Sequence, residues 1–565
     1  MIDPASMTRG DWVWCVGWAV ASSLYCMTAA ARLSATFDEP LYVARGLECW
    51  RTDSHRPLLR LGTMPLPADL QTSPLFLRER WSGVTYDPAT DVDHLLPLAR
   101  AMTLLFWLLL LAYGWLAGRD LAGASGGRLA VALLACEPSL LAHASLATTD
   151  VAVSAWVLAL AYHFRGGRDA AWPRRVVVPA ICFAAAVVAK ASALAIAPLC
   201  LVAIEIERIL DSRFRDCRKT QTHPLRRCSG GHGKDTFVRD FVWILAIGLV
   251  LVFLFCGSDW DVEPSFVEWA HGLPDTALGR SAVWFAEHLR IFSNAGEGIV
   301  RQVRHNLRGH GAFLLGRSYP RAVWYYFPAV MSIKLSEPLL FAPLLALALN
   351  RRALGNWAML CTALLLLYSL TFRVQLGIRM VLPLVVLEVV AVAAALVSLV
   401  AAADTTRYHR FLRCVPLVAV AWTAFSAALV WPDPLTYVNR FWGGPVAGYR
   451  LVSDSNYDWG QGLKQLRQWV HKRQLEKIDV WYFGTDPMVH EPPFRLLPLH
   501  LLPIREPGDV LEHTRGSYLA VGTTLLYGTP MNDAQRAAAE FLRARQPVGR
   551  TDTFLIYDFT VARDS

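Results

Sequence analysis

Two adjacent carboxylates, Asp38 and Glu39, follow the first long apolar stretch of the sequence, in the run Phe37-Asp38-Glu39-Pro40. One explanation is structural, because acids beside a proline at a helix start interact well with the positive end of the helix dipole. The other is catalytic: Asp38 acts as a general base toward a hydroxyl group, with Glu39 as its hydrogen-bonding partner or as an ion ligand. The residues alone leave both explanations open.

A second polar group lies in the turn from His143 to Asp150, between two apolar windows. An aspartate directly before an apolar helix is a good N-cap, and Thr149 would serve equally well, so capping alone does not require Asp150. The apolar windows place His143, Thr148, Thr149 and Asp150 at the same outer level of a bilayer as Asp38. We therefore expect these side chains to face one site.

Three cations belong to the same level: Lys190 in a short turn, and Arg373 and Arg379 on either side of another. Arginine suits phosphate because its planar guanidinium bonds two oxygens at once. The alternative is that these side chains extend to lipid headgroups. A further cation, Lys334, has Glu337 three residues away as a possible partner within one helix.

The elements that must position these residues are membrane helices. The chain has 565 residues, 54% of them hydrophobic and 18% charged, against about 25% charged in an average soluble domain. Apolar windows of roughly 20 residues predict about eleven transmembrane helices. We place the spans at 12–31, 98–117, 127–143, 150–165, 175–190, 191–206, 240–258, 323–349, 354–372, 378–400 and 414–431.

Basic residues set the expected orientation. The loops 165–175 and 207–239 are rich in Lys and Arg, which favours the cytoplasmic side. The amino terminus is then inside, and the large loops 32–97 and 259–322 are periplasmic. The chain divides into a transmembrane domain, 1–431, and a periplasmic carboxy-terminal domain, 432–565. We expect a multi-pass protein of a bacterial inner membrane whose site faces the periplasm.

The carboxy-terminal domain is predicted to be a small α/β domain. The predicted elements are an extended segment 449–452, a helix 460–472, strands 478–483 and 517–521, a helix 533–545 and a strand 554–557. Before them, Asp454, Asn456 and Asp458 alternate as in a cation-binding loop, but no Glu follows at the required distance. We favour Asp458 as a cap of the helix near Gly460, in a loop packed on the membrane part.

Charge and cysteine usage limit the other functions. The net charge of +9 comes mostly from short loops and is explained by membrane topology, so no nucleic-acid partner is expected. Cys217, His223, Cys228 and His232 share a basic loop, but their spacing matches no common zinc pattern. No cofactor is identified, and a divalent cation is left open.

Outward carboxylates, outward cations and apolar helices together suit a lipid-linked sugar as substrate, with membrane lipids around it. The lipid tail stays in the bilayer, the phosphate contacts the cations, and a base activates a hydroxyl acceptor. A transporter or flippase is the main alternative, but transporters gather polar groups near the bilayer midplane in related halves. A scaffold subunit without catalysis is a third reading.

Seven motifs in order carry a family resemblance. They are Phe37-Asp38-Glu39, the turn from Pro138 to Asp150, Ala189-Lys190-x-Ser192, Gly309-His310 with Leu315-Gly316, Trp324 to Pro328, Gly377-Ile378-Arg379, and Asp454 to Gln461. The chain resembles the bacterial branch of the family 39 glycosyltransferases, membrane enzymes of the GT-C fold. Its relatives include protein O-mannosyltransferases and aminoarabinose transferases of lipid A.

The resemblance implies a donor of the polyprenyl-phosphate monosaccharide type, such as an undecaprenyl-phosphate sugar, and Asp38 as the base. It makes Glu39 and Asp150 supporting carboxylates, Lys190 and Arg379 phosphate ligands with Arg373 beside them, and His310 part of a loop over the donor. His143 and His55 belong to the donor or acceptor side. One departure concerns His55: relatives often carry His-Pro-Pro-Leu where this chain has His55-Arg56-Pro57-Leu58. The acceptor hydroxyl, on protein, lipid or glycan, is thereby less defined.

Overall fold

The computed structural model describes residues 7–220, 232–290, 293–402, 409–506 and 508–560. Part of the basic loop 207–239, including His223 and Cys228, lies outside these residues. The amino-terminal half consists of helices α1 Arg9–Arg32, α2 Glu39–Thr52, α3 Arg56–Leu59, α4 Pro65–Ser82, α5 Val92–Leu134, α6 Pro138–Ala144, α7 Asp150–Gly167, α8 Val178–Ala189, α9 Ala193–Thr220 and α10 His232–Cys256.

The next part holds α11 Pro264–His271, α12 Ala277–His288, α13 Ser293–Arg308, β1 Ala312–Leu314, β2 Arg317–Tyr319, α14 Tyr326–Lys334, α15 Glu337–Asn350, α16 Trp357–Ser369, α17 Leu382–Ala402 and α18 His409–Leu429. The carboxy-terminal part holds α19 Leu463–Lys472, β3 Ile478–Trp481, β4 Phe494–Leu496, α20 Asp509–Thr514, β5 Tyr518–Gly522, α21 Thr523–Tyr527, α22 Asp533–Arg543, β6 Gly549–Arg550 and β7 Phe554–Asp558.

Five helices of the described chain are long and apolar enough to cross a bilayer: Arg9–Arg32, Val92–Leu134, Thr236–Cys256, Ile378–Ala402 and Arg410–Leu429. A sixth candidate is the pair Tyr326–Lys334 and Glu337–Leu354, bent by 108°. The predicted polytopic helical membrane protein is confirmed at this level. The number of eleven spans stays a prediction; α7, α8, α9 and α16 lie where other spans were placed.

Two predicted spans are interrupted. The span 127–143 consists of the end of α5 and the short helix α6, with extended backbone at Glu137. The span 323–349 is divided into α14 and α15, with extended backbone at Leu335 and Ser336. Glu137 precedes Pro138, and the residue before a proline is disfavoured in helical conformation. At the second break Glu337 is already the first residue of α15, and Pro338 is compatible with the first turn of that helix. Buried polar groups occupy both breaks.

The helix α5 folds back on itself, because its backbone leaves helical geometry at Ala122 and Gly123. A Cβ atom on Gly118 would lie 2.7 Å from the Gly126 carbonyl oxygen, so the two arms are in direct contact. Glycine is therefore required there for close backbone approach. The first arm carries the span predicted at 98–117, and the second arm carries the first part of the span predicted at 127–143.

The centre of the bundle is α17, whose apolar stretch is 78% buried, against 17% for the apolar stretch of α1. It packs against α5, α7, α15, α16 and α18. A helix that is apolar on all sides and buried on all sides is a core helix of a larger bundle. Arg379 lies in the segment directly before α17, so it is held at the start of this central helix.

The carboxy-terminal part contains a mixed five-stranded sheet in the order β4-β3-β5-β7-β6. The strand β3 pairs in parallel with β4 and β5, whereas β7 is antiparallel to β5 and β6. The helix α19 packs Leu466 and Val470 against this sheet. The sequence predicted α19, β3, β5, α22 and β7 but not β4, β6, α20 or α21. The periplasmic location stays a prediction.

One predicted element is wrong. The segment 449–452 is not a strand: a 3-10 turn spans Pro445–Arg450. The N–H groups of Leu451 and Val452 both donate to the Gly448 carbonyl oxygen, so they bond within the turn. Only Val452 forms an isolated bridge, to Leu314.

The carboxy-terminal part is fastened to the helices by buried polar contacts. Lys334 Nζ donates to the carbonyl oxygens of Leu435, Tyr437 and Asn456 at 2.6–2.7 Å. All three donors of this buried ammonium are used, so the expected pairing of Lys334 with Glu337 is wrong. Glu337 instead accepts hydrogen bonds from other groups of the same region.

Candidate active site

Asp38 lies directly before α2, whose first turn contains Pro40. At this position the carboxylate lies near the positive end of the helix dipole, but its side chain makes no capping hydrogen bond to that helix. Instead Oδ2 accepts a hydrogen bond from Arg379 Nη1 at 2.8 Å and one from the Tyr42 hydroxyl at 3.3 Å. About 22% of the Asp38 side chain is exposed, so the carboxylate is both held and reachable.

Arg379 belongs to a short 3-10 segment, Ile378–Val381, directly before α17. The preceding Gly377 has φ of +116°, and a Cβ atom there would collide with Ser455. Only glycine permits this backbone beside the packed segment. The guanidinium is buried, lies 4.2 Å from the ring centroid of Trp459, and leaves Nε without a partner.

A second ion pair joins Lys190 Nζ and Asp150 Oδ1 at 2.6 Å. Asp150 is the first residue of α7 and is fully buried, whereas Lys190 ends α8 and is about one-fifth exposed. The second oxygen of Asp150 has no partner. Because neither Asp150 nor Thr149 makes a side-chain cap of α7, helix capping does not account for Asp150.

His143 completes this group from α6. Its ring is buried, lies 6.5 Å from that of Trp459, and leaves Nδ1 unbonded. Asp150 interacts electrostatically with both Arg379 and His143, and Asp38 with Arg379. The structure therefore brings Asp38, Arg379, Asp150, Lys190 and His143, predicted from four distant motifs, into one site.

Glu39 stands behind this site and is fully buried. Arg100 binds both of its oxygens, at 2.7 and 2.8 Å, and the backbone N–H groups of Thr36 and Ala147 donate to it at 2.9 and 2.7 Å. Burial works to raise the pKa of Glu39, but the charge and hydrogen bonds of Arg100 and these N–H groups hold it below its ordinary value. Its oxygens are occupied, so Glu39 fixes the loop that carries Asp38.

Three predicted site residues lie outside this group. Arg373 is exposed and its Nη1 donates to the Leu307 carbonyl oxygen at 3.2 Å. His55 Nε2 lies 2.9 Å from Asp69 Oδ2, and its ring stacks on Phe255. Burial opposes a charge on His55, but Asp69 outweighs it and raises the pKa.

His310 lies nearer. It is exposed, its backbone N–H donates to the Arg373 carbonyl oxygen at 2.9 Å, and its ring interacts electrostatically with Asp454. Asp454 in turn interacts with Arg379 and Asp38. His310 therefore lies at the exposed edge of the group, and its place in a loop over the donor stays a prediction.

The segment 454–461 contributes contacts that the sequence did not predict. Trp459 packs its ring on Arg379, and Asn456 Oδ1 accepts from the Ile378 N–H at 2.9 Å. Asp458 does not cap α19. It accepts from Thr524 N at 3.0 Å at the start of α21 and from Gly460 N at 3.2 Å, and burial raises its pKa to about 7. Trp459, an aromatic residue within a polar motif, was the signal in the sequence that could have indicated these contacts.

The sequence analysis also missed Arg100. The available signal was an arginine inside an apolar window, because such an arginine requires a partner.

For metals, the described ranges contain no group of three or more His, Cys, Asp or Glu side chains placed to hold an ion. The site thus consists of two ion pairs and a histidine. Several of its buried polar atoms lack a hydrogen-bond partner, namely Arg379 Nε, Asp150 Oδ2, His143 Nδ1 and the neighbouring Thr148 Oγ1.

No family model and no curated protein matches the chain. Among solved structures it is similar to ArnT from Cupriavidus metallidurans bound to undecaprenyl phosphate, with 12% identity, 98% of this chain and 99% of that chain covered, and a TM-score of 0.43. It is similar to the apo oligosaccharyltransferase of Archaeoglobus fulgidus, with 11% identity, coverage of 93% and 72%, and a TM-score of 0.47. For apo ArnT from Cupriavidus metallidurans the identity is 14%, the coverage 96% and 97%, and the TM-score 0.28.

Proposed function

We propose that this protein is a membrane glycosyltransferase of the GT-C type. It moves a monosaccharide from a polyprenyl-phosphate carrier, such as undecaprenyl phosphate, to a hydroxyl acceptor on the periplasmic side of a bacterial inner membrane. The observation that supports this most is the partly exposed carboxylate of Asp38 within 2.8 Å of the buried Arg379 guanidinium, in a bundle of apolar helices. This contact would supply a base and a phosphate ligand side by side, among helices that are apolar enough for a bilayer.

The cations would bind the leaving group, which is the donor phosphate. Arg379 has an unbonded Nε, and about one-fifth of the Lys190 side chain is exposed. Charge-assisted hydrogen bonds to phosphate are about twice as strong as neutral ones. These donors would bind the donor phosphate and stabilise the charge that develops on it as the bond to the anomeric carbon breaks.

The Asp38 carboxylate would take the proton of the acceptor hydroxyl. As the acceptor hydroxyl attacks the anomeric carbon, its proton passes to Asp38, and the sugar–phosphate bond breaks in the same displacement. One direct displacement inverts the configuration at that carbon. A donor phosphate bound at the free Arg379 Nε would leave the hydrogen bond from Nη1 to Asp38 Oδ2 in place.

The experiment is a transfer assay with purified protein in lipid nanodiscs. A panel of undecaprenyl-phosphate monosaccharides serves as donors, and acceptors are found by mass spectrometry of surface glycans from cells with and without the protein. Transfer by the wild type, lost in Asp38→Asn, supports the proposal. Movement of lipid or solute across the membrane without any transfer would instead favour the transporter.

A further inference from the structure

Trp459 is the largest buried side chain in contact with the proposed catalytic pair. It is 1% exposed, Arg379 Cζ lies over its ring at 4.2 Å from the centroid, and its ring is inclined by 67° to that of His143. A guanidinium over an indole face is attracted by the negative face of the ring, and the attraction is strongest where water is excluded. Trp459 therefore constrains the plane in which the Arg379 donors lie.

The backbone around Trp459 is tied to both partners of the pair. Its carbonyl oxygen accepts the N–H of Phe37, the residue before Asp38, at 2.8 Å. Three residues earlier, Asn456 accepts the N–H of Ile378, the residue before Arg379, at 2.9 Å. One short segment of the carboxy-terminal part thus holds the neighbours of the carboxylate and of the arginine.

The same segment is itself immobilised. Asn456 Nδ2 donates to the Tyr326 hydroxyl at 3.0 Å, and the Asn456 carbonyl oxygen accepts from Lys334 Nζ at 2.7 Å. The Trp459 N–H donates to Gln461 Oε1 at 2.8 Å. A ring on so fixed a backbone can orient its neighbour with little freedom.

We propose that Trp459 is a positioning residue of the catalytic centre. Its ring holds the Arg379 guanidinium with Nη1 toward Asp38 and with Nε free for a donor phosphate. This inference rests on the proposed function for its consequence, but the orientation of Arg379 by Trp459 can be tested without it. It makes the carboxy-terminal part a component of the site, because the residue that orients the phosphate ligand comes from there.

The test is a double-mutant cycle of Trp459→Leu and Arg379→Ala, with undecaprenyl phosphate binding measured on the full-length protein in nanodiscs. If Trp459 acts through Arg379, Trp459→Leu weakens binding about tenfold in the wild-type background and less than about twofold beside Arg379→Ala. Trp459→Phe keeps an aromatic face and should stay within about threefold of the wild type.

A matched control separates positioning from packing. Trp481 in β3 is buried to the same degree but lies in the sheet, with its indole N–H on His500. Trp481→Leu should lower the thermal midpoint as much as Trp459→Leu does, yet leave lipid binding unchanged. Equal weakening of binding by Trp459→Leu in both Arg379 backgrounds, or equal weakening by Trp481→Leu, would overturn the inference.

Failure of the proposed function gives a different pattern. If the folded wild type binds no undecaprenyl phosphate, the lipid-linked donor is wrong. The thermal midpoints of the wild type, Trp459→Leu, Arg379→Ala and the double variant then test whether Trp459 positions Arg379. Non-additive midpoints, with Trp459→Phe close to the wild type, support it, and additive midpoints overturn it.

Discussion

Arg379 Nη1 donates a hydrogen bond of 2.8 Å to Asp38 Oδ2, although 341 positions separate the two residues in the chain. The contact joins the loop after the first apolar helix to the start of the most buried one. It places a cation and a potential base together before any substrate is present.

The cations should hold the donor phosphate. Lys190→Ala and Arg379→Ala each remove a charge-assisted hydrogen bond worth about 1.5–3 kcal/mol, so affinity should fall roughly ten- to a hundredfold. Arg373→Ala is the control, because Arg373 is exposed and bonded to a carbonyl oxygen elsewhere. Titration with undecaprenyl phosphate measures the affinities. Full affinity in both variants, or an equal loss in Arg373→Ala, would remove the assignment.

The buried pair of Glu39 and Arg100 should matter for stability. Glu39→Gln leaves Arg100 uncompensated, and breaking a buried ion pair typically costs about 3–5 kcal/mol in the free energy of unfolding. Chemical denaturation in detergent measures it, with Glu48→Gln as control, since the Arg45–Glu48 pair is about two-fifths exposed. A loss no larger than that of Glu48→Gln would show that the pair contributes little.

The same pair predicts a pH dependence. The pKa of folded Glu39 is lowered, so the ionised form stabilises the fold above the unfolded value of about 4.3. This contribution is lost as the pH falls through the folded pKa. The acid-induced decline in thermal midpoint should therefore be shallower in Glu39→Gln than in the wild type. Parallel pH profiles for the two proteins would contradict this.

Orientation is tested by reporter fusions. A fusion near Lys219 should be active only with a cytoplasmic reporter, and fusions near Gly272 or after Gly443 only with a periplasmic one. These results follow from the basic loops. A cytoplasmic signal after Gly443 would place the carboxy-terminal part, including Trp459, on the side opposite to that proposed.

The sequence predicted the individual site residues better than their partners. Asp38, Asp150, Lys190 and Arg379 are separately recognisable as ionisable groups next to apolar windows. Their pairing is not, because it depends on how distant helices pack. The lysine at the α8–α9 turn meets the aspartate that begins α7, a relationship that no local pattern contains.

Helix positions followed from apolar composition, but the interruptions required another signal. Both breaks lie next to a Glu-Pro pair, Glu137-Pro138 and Glu337-Pro338. Each proline lies in the first turn of the helix after the break, because proline lacks the backbone donor that a helix interior requires. Arg373 was placed at the site because it shares a short loop with Arg379. The two side chains point to different places: Arg379 packs on Trp459, whereas Arg373 donates to the Leu307 carbonyl oxygen.

The central claim is that Asp38 removes the acceptor proton. Asp38→Asn keeps the size of the side chain and much of its hydrogen bonding but cannot take up that proton. Turnover of an undecaprenyl-phosphate sugar by the purified variant should fall about 10²–10⁴-fold, with the thermal midpoint and undecaprenyl phosphate binding preserved. Asp150→Asn should lose less, because Asp150 is bonded to Lys190 and fully buried. Near-normal turnover by a stable Asp38→Asn protein would contradict the account.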